Sequence, residues 1–249
     1  MYRNQYDTDC ITWSPQGRIF QIEYAMEAVK QGTCIVGLRT KTHAFICSFN
    51  RSTSQLAMPQ QKLFKIDDHM GIAISGLNAD ARVLSTFMRN ECMRHKYSHQ
   101  APLSAGRLVA LIGNKSQINT QRASKRPFGV GLLVAGVDNL GPHIYETCPS
   151  GNFFEYTAMA LGGRSQSART YLEKHFQTFD DVTVEEATSH ILKALAASCT
   201  ADTELSVKNV SLGIVGKDCP FYMMDEASLQ TALDAIKGDS GGAAPMDTS

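Results

Sequence analysis

Three clusters of residues have the types and spacing that chemistry could use. Gly238, Asp239, Ser240, Gly241 and Gly242 spell the nucleophile motif of one class of serine proteases. That chemistry needs a rigid oxyanion hole and a His and Asp held by a packed scaffold. Here the motif falls in a run of small polar residues near the end of the chain, and no matching histidine segment exists, so it reads as coincidence. Cys92, His95 and His99 recur at i, i+3 and i+7 on one predicted helix face, a spacing able to reach one metal ion. A fourth ligand and a second anchoring segment are missing, so a helix face passing from core to solvent is the better reading and no metal or other cofactor is expected. Gly162, Gly163, Arg164 and Ser165 precede a helix and could offer free amides to an anion. The phosphate-loop and dinucleotide patterns are absent, which favours a plain strand-to-helix turn.

The elements that would position any such site come from periodicity. Tyr6 to Gly17 has neither helical nor alternating period, and Pro15 and Gly17 mark a turn. Arg18–Gln31 then places Ile19, Ile22, Met26 and Val29 on one helical face, with Gly32 where a left-handed cap would sit. Such a helix either packs on its own domain or docks on a neighbour. Four short apolar runs follow, Thr33–Arg39, His43–Phe49, Leu63–Asp67 and Gly71–Ser75, all read as strands. Asn78 is placed to cap a helix carrying Val83, Leu84, Phe87 and Met88, and Ser104 opens another with Leu108, Leu111 and Ile112. Three more strands are expected over Phe128–Gly136, His143–Cys148 and Phe153–Leu161. Two helices come next, the second opened by a Thr183–Glu186 capping box. A strand at Val210, Leu212 and Ile214, a partner at Phe221–Asp225 and a last helix with Leu229, Leu233 and Ile236 complete the set. Strands in groups of four, three and two, with helices mostly paired, exclude strict βαβ alternation and favour two packed sheets faced by helices. One domain is expected over 18–238. An arm and turn over 1–17 precede it, and a tail over 239–249, without apolar period, is expected to be disordered.

Bulk properties limit the partners. Lys plus Arg and Asp plus Glu number 24 each, so the formal net charge is zero. A sequence-independent nucleic-acid binder needs a basic surplus, so nucleic acid is not an expected partner. The first residues lack the apolar core of a signal peptide, and no apolar run approaches a membrane span. The seven cysteines contain no Cys-x-x-Cys pair. A reducing intracellular compartment is therefore expected, with no membrane partner. Three glycosylation sequons, at Asn50, Asn114 and Asn209, carry no meaning there.

The opening stretch, taken with the order of elements, resembles the α subunits of the 20S proteasome. The resemblance rests on Tyr6-Asp7 and on Ser14-Pro-x-Gly-Arg-x-Phe-Gln-x-Glu-Tyr-Ala25. Ile66-Asp-Asp, Ser75-Gly-Leu, Ala79-Asp-Ala-Arg, Gly129-Val-Gly-Leu-Leu and Ala135-Gly-x-Asp extend it. It covers the chain to about Gly238. It implies an α+β fold, the four-layer αββα sandwich of the N-terminal-nucleophile class with an added N-terminal helix. It also implies a heptameric α ring over the β rings, in the cytoplasm and nucleus, serving ubiquitin-dependent and other protein degradation. The implied partners are other α subunits, β-ring subunits, the C-terminal tails of regulatory particles and protein substrates passing a gate.

The resemblance also assigns residues. Tyr6, Asp7, Pro15 and Tyr24 match the cluster that holds the gate open. Lys62, with Gly32 beside it, matches the pocket that receives an activator's C-terminal carboxylate; a plain surface lysine before a strand is the alternative. The β subunits of the family are threonine proteases, so an active threonine peptidase is the rival function. That chemistry needs a Thr with a free α-amine, a lysine and an acid. Thr33 matches the threonine and Lys62 the lysine, but Phe49 stands at the acid's position. The retained helix before Thr33 leaves its nitrogen in a peptide bond. A non-catalytic subunit, with no catalytic residues of its own, is the expectation.

Overall fold

The computed structural model describes residues 5–51, 56–200 and 204–240, with side chains to Lys237. The expected arm residues 1–4, the tail 241–249 and part of the Asn50 sequon lie outside the described residues.

The chain runs α1 (Phe20–Gln31), β1 (Ile35–Arg39), β2 (His43–Phe49), β3 (Leu63–Asp67), β4 (Met70–Gly76), α2 (Asn78–His99) and α3 (Ala105–Gln121). It continues with β5 (Val130–Asp138), β6 (Gly141–Thr147), β7 (Phe153–Tyr156), β8 (Ala158–Leu161), α4 (Ser165–His175), α5 (Val184–Ser198), β9 (Val210–Gly216), β10 (Cys219–Met223) and α6 (Glu226–Ser240). One antiparallel sheet has the order β10-β9-β2-β1-β8 and the other β3-β4-β5-β6-β7.

Each central strand is buried on both faces, which is why its sequence is an apolar run rather than a clean alternation. In β2, Ala44 and Ile46 meet Leu63, Ala73 and Leu133 between the two sheets. Phe45 and Cys47 point the other way, onto a layer that includes Leu172 of α4, Ile191 and Leu195 of α5 and Leu229 of α6. On the far side, Ile72, Ile74 and Leu132 pack under Leu84 and Met88 of α2 and Leu108 and Ile112 of α3. The result is the expected α, β, β, α layering.

Several boundaries differ from expectation for physical reasons. The first helix begins at Phe20, because Arg18 is held in the preceding turn, its N–H on Ser14 Oγ at 3.1 Å and its carbonyl accepting from Ser14 N at 2.8 Å. Ala25 and Val29 are its buried residues, while Ile19, Ile22 and Met26 are only half-buried. Gly32 is extended, at φ −65° and ψ 160°, rather than left-handed. Its reason is space: a Cβ there would lie 2.3 Å from both Gly76 N and Ser75 Oγ. The run Phe153–Leu161 breaks at Thr157 into two strands, β7 on β6 in one sheet and β8 on β1 in the other. Leu77, not Asn78, is the N-cap of α2, whereas the Thr183–Glu186 capping box of α5 is present in full. The last helix continues to Ser240, so Gly238, Asp239 and Ser240 of the protease-like motif sit in helical backbone.

Candidate functional site

The arm is built from local hydrogen bonds. Asp9 Oδ1 accepts from the backbone N–H of Ile11 and Thr12 at 3.0 and 2.9 Å and from Thr12 Oγ1 at 2.7 Å, closing a side-chain-supported turn. Cys10 is 2% exposed, and its thiol faces the carbonyls of Arg122 and Lys125, each at 3.2 Å, just past the end of α3. Ser14 to Gly17 form the predicted turn, with Gly17 N donating to Ser14 O at 2.9 Å and Gly17 at φ +76°. Pro15 lies at its exposed corner. Arg18 reaches forward to form a two-pronged ion pair with Glu23, and its guanidinium lies 5.1 Å from the Phe20 ring centre.

Two of the expected gate residues, Asp7 and Tyr24, meet directly. Tyr24 donates its hydroxyl hydrogen to Asp7 Oδ2 at 3.2 Å, and Gln21 Nε2 donates to the Asp7 carbonyl. Asp7 is thus held to α1 through side chain and backbone together. Tyr6 flanks it at the surface. Gln21 is invisible to sequence reasoning, because a glutamine on an amphipathic helix carries no signal of its own.

Tyr24 also lines a cleft of 760 Å³ between α1 and the start of α2. Glu27, Gly32, Thr33, Arg51, Lys62 and Asn78 share that lining. Lys62 is not a surface lysine: it is 7% exposed, and its Nζ donates to Asn78 Oδ1 at 2.7 Å. Burial pushes its pKa down from the ordinary lysine value. Gly32 forms part of the wall, and its carbonyl accepts from Gly163 N at 2.7 Å. In sequence Asp7 and Lys62 stand far apart; the fold makes Tyr24 common to the Asp7 contact and the Lys62 cleft.

On the other side of the α1–β1 junction is a second pocket of 430 Å³, lined by Thr33, Cys34, Phe49, Arg51, Arg164 and Cys199 among others. Thr33 and Phe49 therefore do face a shared space. Among the described residues lining it there is no carboxylate. Thr33 Oγ1 is buried and has no hydrogen-bond partner among the described residues. The nitrogen of Thr33 is bonded to Gly32, and the junction is clamped: Ser75 Oγ faces Val29 O at 2.9 Å and Thr33 O at 3.2 Å. The Gly162–Ser165 turn backs this junction, since a Cβ on Gly162 would meet Thr33 O at 2.4 Å. Its glycines serve close packing. Cys92 is on the buried face of α2, and the His95 and His99 rings lie side by side, tilted at 45° with centres 4.5 Å apart.

Comparison with known proteins agrees with this architecture. A family model described as "Proteasome subunit" matches residues 29–215, and a second, for the N-terminal signature of A-type proteasome subunits, matches residues 6–28. This chain belongs to the proteasome α-subunit family. It is 53% identical over 240 residues to "Proteasome subunit alpha type-1" of Dictyostelium discoideum, covering 96% of this chain and 97% of that protein. "Probable proteasome subunit alpha type-6" of Schizosaccharomyces pombe is 48% identical, over 98% of this chain and 89% of its own length. "Proteasome subunit alpha type-1" of Trypanosoma brucei rhodesiense is 47% identical, over 95% and 90%. The chain is an α-type subunit of the 20S core, and assembly with other proteasome subunits follows from that membership.

Proposed function

We propose that this proteasome subunit is non-catalytic and works by closing and opening a path for substrate. It would sit in a seven-membered α ring against a β ring, passing unfolded protein when its arm is displaced. The observation that carries the non-catalytic reading is the clamped Gly32–Thr33 junction. A threonine peptidase of this class uses its own α-amine as base, and a peptide nitrogen has no lone pair to offer. Here Ser75 Oγ lies within hydrogen-bond distance of carbonyls on both sides of the junction, and Gly32 is too closely packed to shift. Phe49 offers no carboxylate to complete the set. Core particles carrying Thr33→Ala should retain peptidase activity, and loss of that activity would return the rival reading, an active threonine peptidase.

The gate and docking roles rest on Tyr24, which bonds Asp7 of the arm and lines the Lys62 cleft. A ligand filling that cleft would touch the residue that holds the arm. The occupant we infer is the C-terminal tail of an activator, with its carboxylate on the Lys62 ammonium, a charge-assisted hydrogen bond worth about 1.5–3 kcal/mol. Lys62→Ala in assembled particles should weaken regulatory-particle binding; unchanged affinity would remove the role from this subunit. The proposed setting is cytoplasm and nucleus, which imaging of a fluorescent fusion incorporated into particles would check.

A further inference from the structure

Lys62 is the only buried lysine among the described residues, and its surroundings are unusual for one. A buried ammonium is normally offset by a carboxylate, because an unpaired charge in a low-dielectric site is costly. The acceptor here is instead the neutral amide oxygen Asn78 Oδ1, at 2.7 Å. The carboxylate lining the same cleft, Glu27, is paired with Lys30 at 3.0 Å. Arg51 adds a second positive charge to the lining. Asn78 is the first residue of α2, one place past the N-cap position whose side chain would accept from the helix's free amides. The N-cap of α2 is Leu77 and has no side-chain cap bond, while the Asn78 oxygen is given to Lys62.

We propose that Asn78 is a positioning residue of this cleft: it aims the Lys62 ammonium with one neutral hydrogen bond and leaves its charge for an incoming peptide carboxylate. An ammonium has three N–H groups, so one spent on Asn78 leaves two for a ligand. An aspartate in the same place would make an ion pair and cancel the charge the ligand needs. An alanine would leave the ammonium unaimed. This inference rests on the reading of the cleft as a docking site for a chain terminus.

The test uses assembled core particles carrying Asn78→Asp or Asn78→Ala, with incorporation verified by native mass spectrometry. Two readouts at Lys62 itself avoid averaging over the ring. The first is the pH profile of Lys62 acetylation by acetic anhydride, read by peptide mass spectrometry. The second is protection of Lys62 from that reagent by a seven-residue peptide with a free C-terminal carboxylate, compared with its C-terminal amide. The carboxylate peptide should protect wild-type Lys62 and the amide should not. Asn78→Asp should move the acetylation midpoint to higher pH and raise the peptide concentration needed for protection about tenfold or more, the loss of one charge-assisted bond. Asn78→Ala should also weaken protection, without the upward shift in midpoint. Equal protection of wild type and both variants by the carboxylate peptide would overturn the positioning role while leaving the docking site. Protection of wild type by neither peptide, or by both equally, would overturn the docking reading and this inference with it.

Discussion

Asp80 and Arg126 meet as two parallel hydrogen bonds, Oδ1 to Nη2 at 2.7 Å and Oδ2 to Nη1 at 2.6 Å. The same carboxylate accepts from Gly129 N at 2.9 Å, while the Gly129 carbonyl accepts from Leu77 N at 2.8 Å. One aspartate thereby ties the first turn of α2 to the segment entering β5, and so fixes where Asn78 stands relative to Lys62. Its negative charge also suits the positive end of the helix.

Replacing Asp80 with Asn should loosen that tie. The Asp80 side chain is nearly buried and the Gly129 amide would lose its charged acceptor, a cost of about 1–3 kcal/mol. Hydrogen exchange on assembled particles should show faster exchange at Gly129 and the first turn of α2. Burial alone would raise the Asp80 carboxyl pKa, but the Arg126 hydrogen bonds, the Gly129 amide and the Arg126 charge together hold it below the usual range. A depressed carboxyl contributes stability above its unfolded value, near 3.8, and loses it as pH falls through the folded value. Gly129 protection, corrected for intrinsic rates, should hold at neutral pH and weaken only in that acid range.

His143 gives a pH dependence of opposite sign. Its Nδ1 lies 2.7 Å from Glu155 Oε1 and its Nε2 3.0 Å from Asp138 Oδ1, joining edge strand β7 to β5 and β6. Burial pulls its pKa down, but the hydrogen bonds and charges of Glu155 and Asp138 outweigh that and leave it raised. A raised histidine contributes fully below its unfolded value, near 6.5, and its contribution is lost as pH rises through the folded value. Protection of Phe153–Tyr156 amides, corrected for intrinsic rates, should therefore decline as pH rises past that value. His143→Gln should flatten the profile; an unchanged profile would mean the clamp does not hold the strand.

Gly32 and Gly17 should respond oppositely to their conformations. Gly17 has a positive φ but open space around the missing Cβ, so Gly17→Ala should cost only about 1 kcal/mol of backbone strain. Gly32 has an ordinary φ but no space, with Gly76 backbone 2.3 Å from any added Cβ. Gly32→Ala should force α1 away from β4, at a cost of about 1–3 kcal/mol or more. Incorporation into particles, measured by native mass spectrometry, should fall for Gly32→Ala and stay near wild type for Gly17→Ala.

Tyr24→Phe removes one hydroxyl from an exposed ring and leaves the stacking on Phe20, whose ring centre is 6.3 Å away. The helix should remain, and the bond to Asp7 should be lost. Particles with this change should respond less to an activator in hydrolysis of a fluorogenic peptide, with unchanged turnover in a constitutively open particle. An equal drop in both would place Tyr24 in structure rather than in gating.

Much of the fold is legible residue by residue. The runs His43–Phe49 and Leu63–Asp67 are strands to the residue, because each is short, apolar and bounded by polar or turn residues. The Thr183–Glu186 box marks α5 because a capping box is a purely local arrangement. Phe153–Leu161 misleads because periodicity does not report which sheet a strand joins, and the break at Thr157 is dictated by partners β6 and β1, far apart in sequence. Asn78 misleads because a cap and a partner for Lys62, 16 positions earlier in the chain, look alike until the segment between them is folded.

The order of amino acids alone determined that Thr33 follows Gly32 and the segment before it, that Phe49 is not an acid, and that an irregular arm precedes a helix. These are covalent or local facts and need no fold. Tertiary structure decided that Lys62 is buried, that Asn78 rather than a carboxylate holds it, and that Tyr24 serves both arm and cleft. Those relations depend on packing α1 against β4 and β5, which brings side chains from separate elements within hydrogen-bond range. No spacing in one dimension encodes that distance.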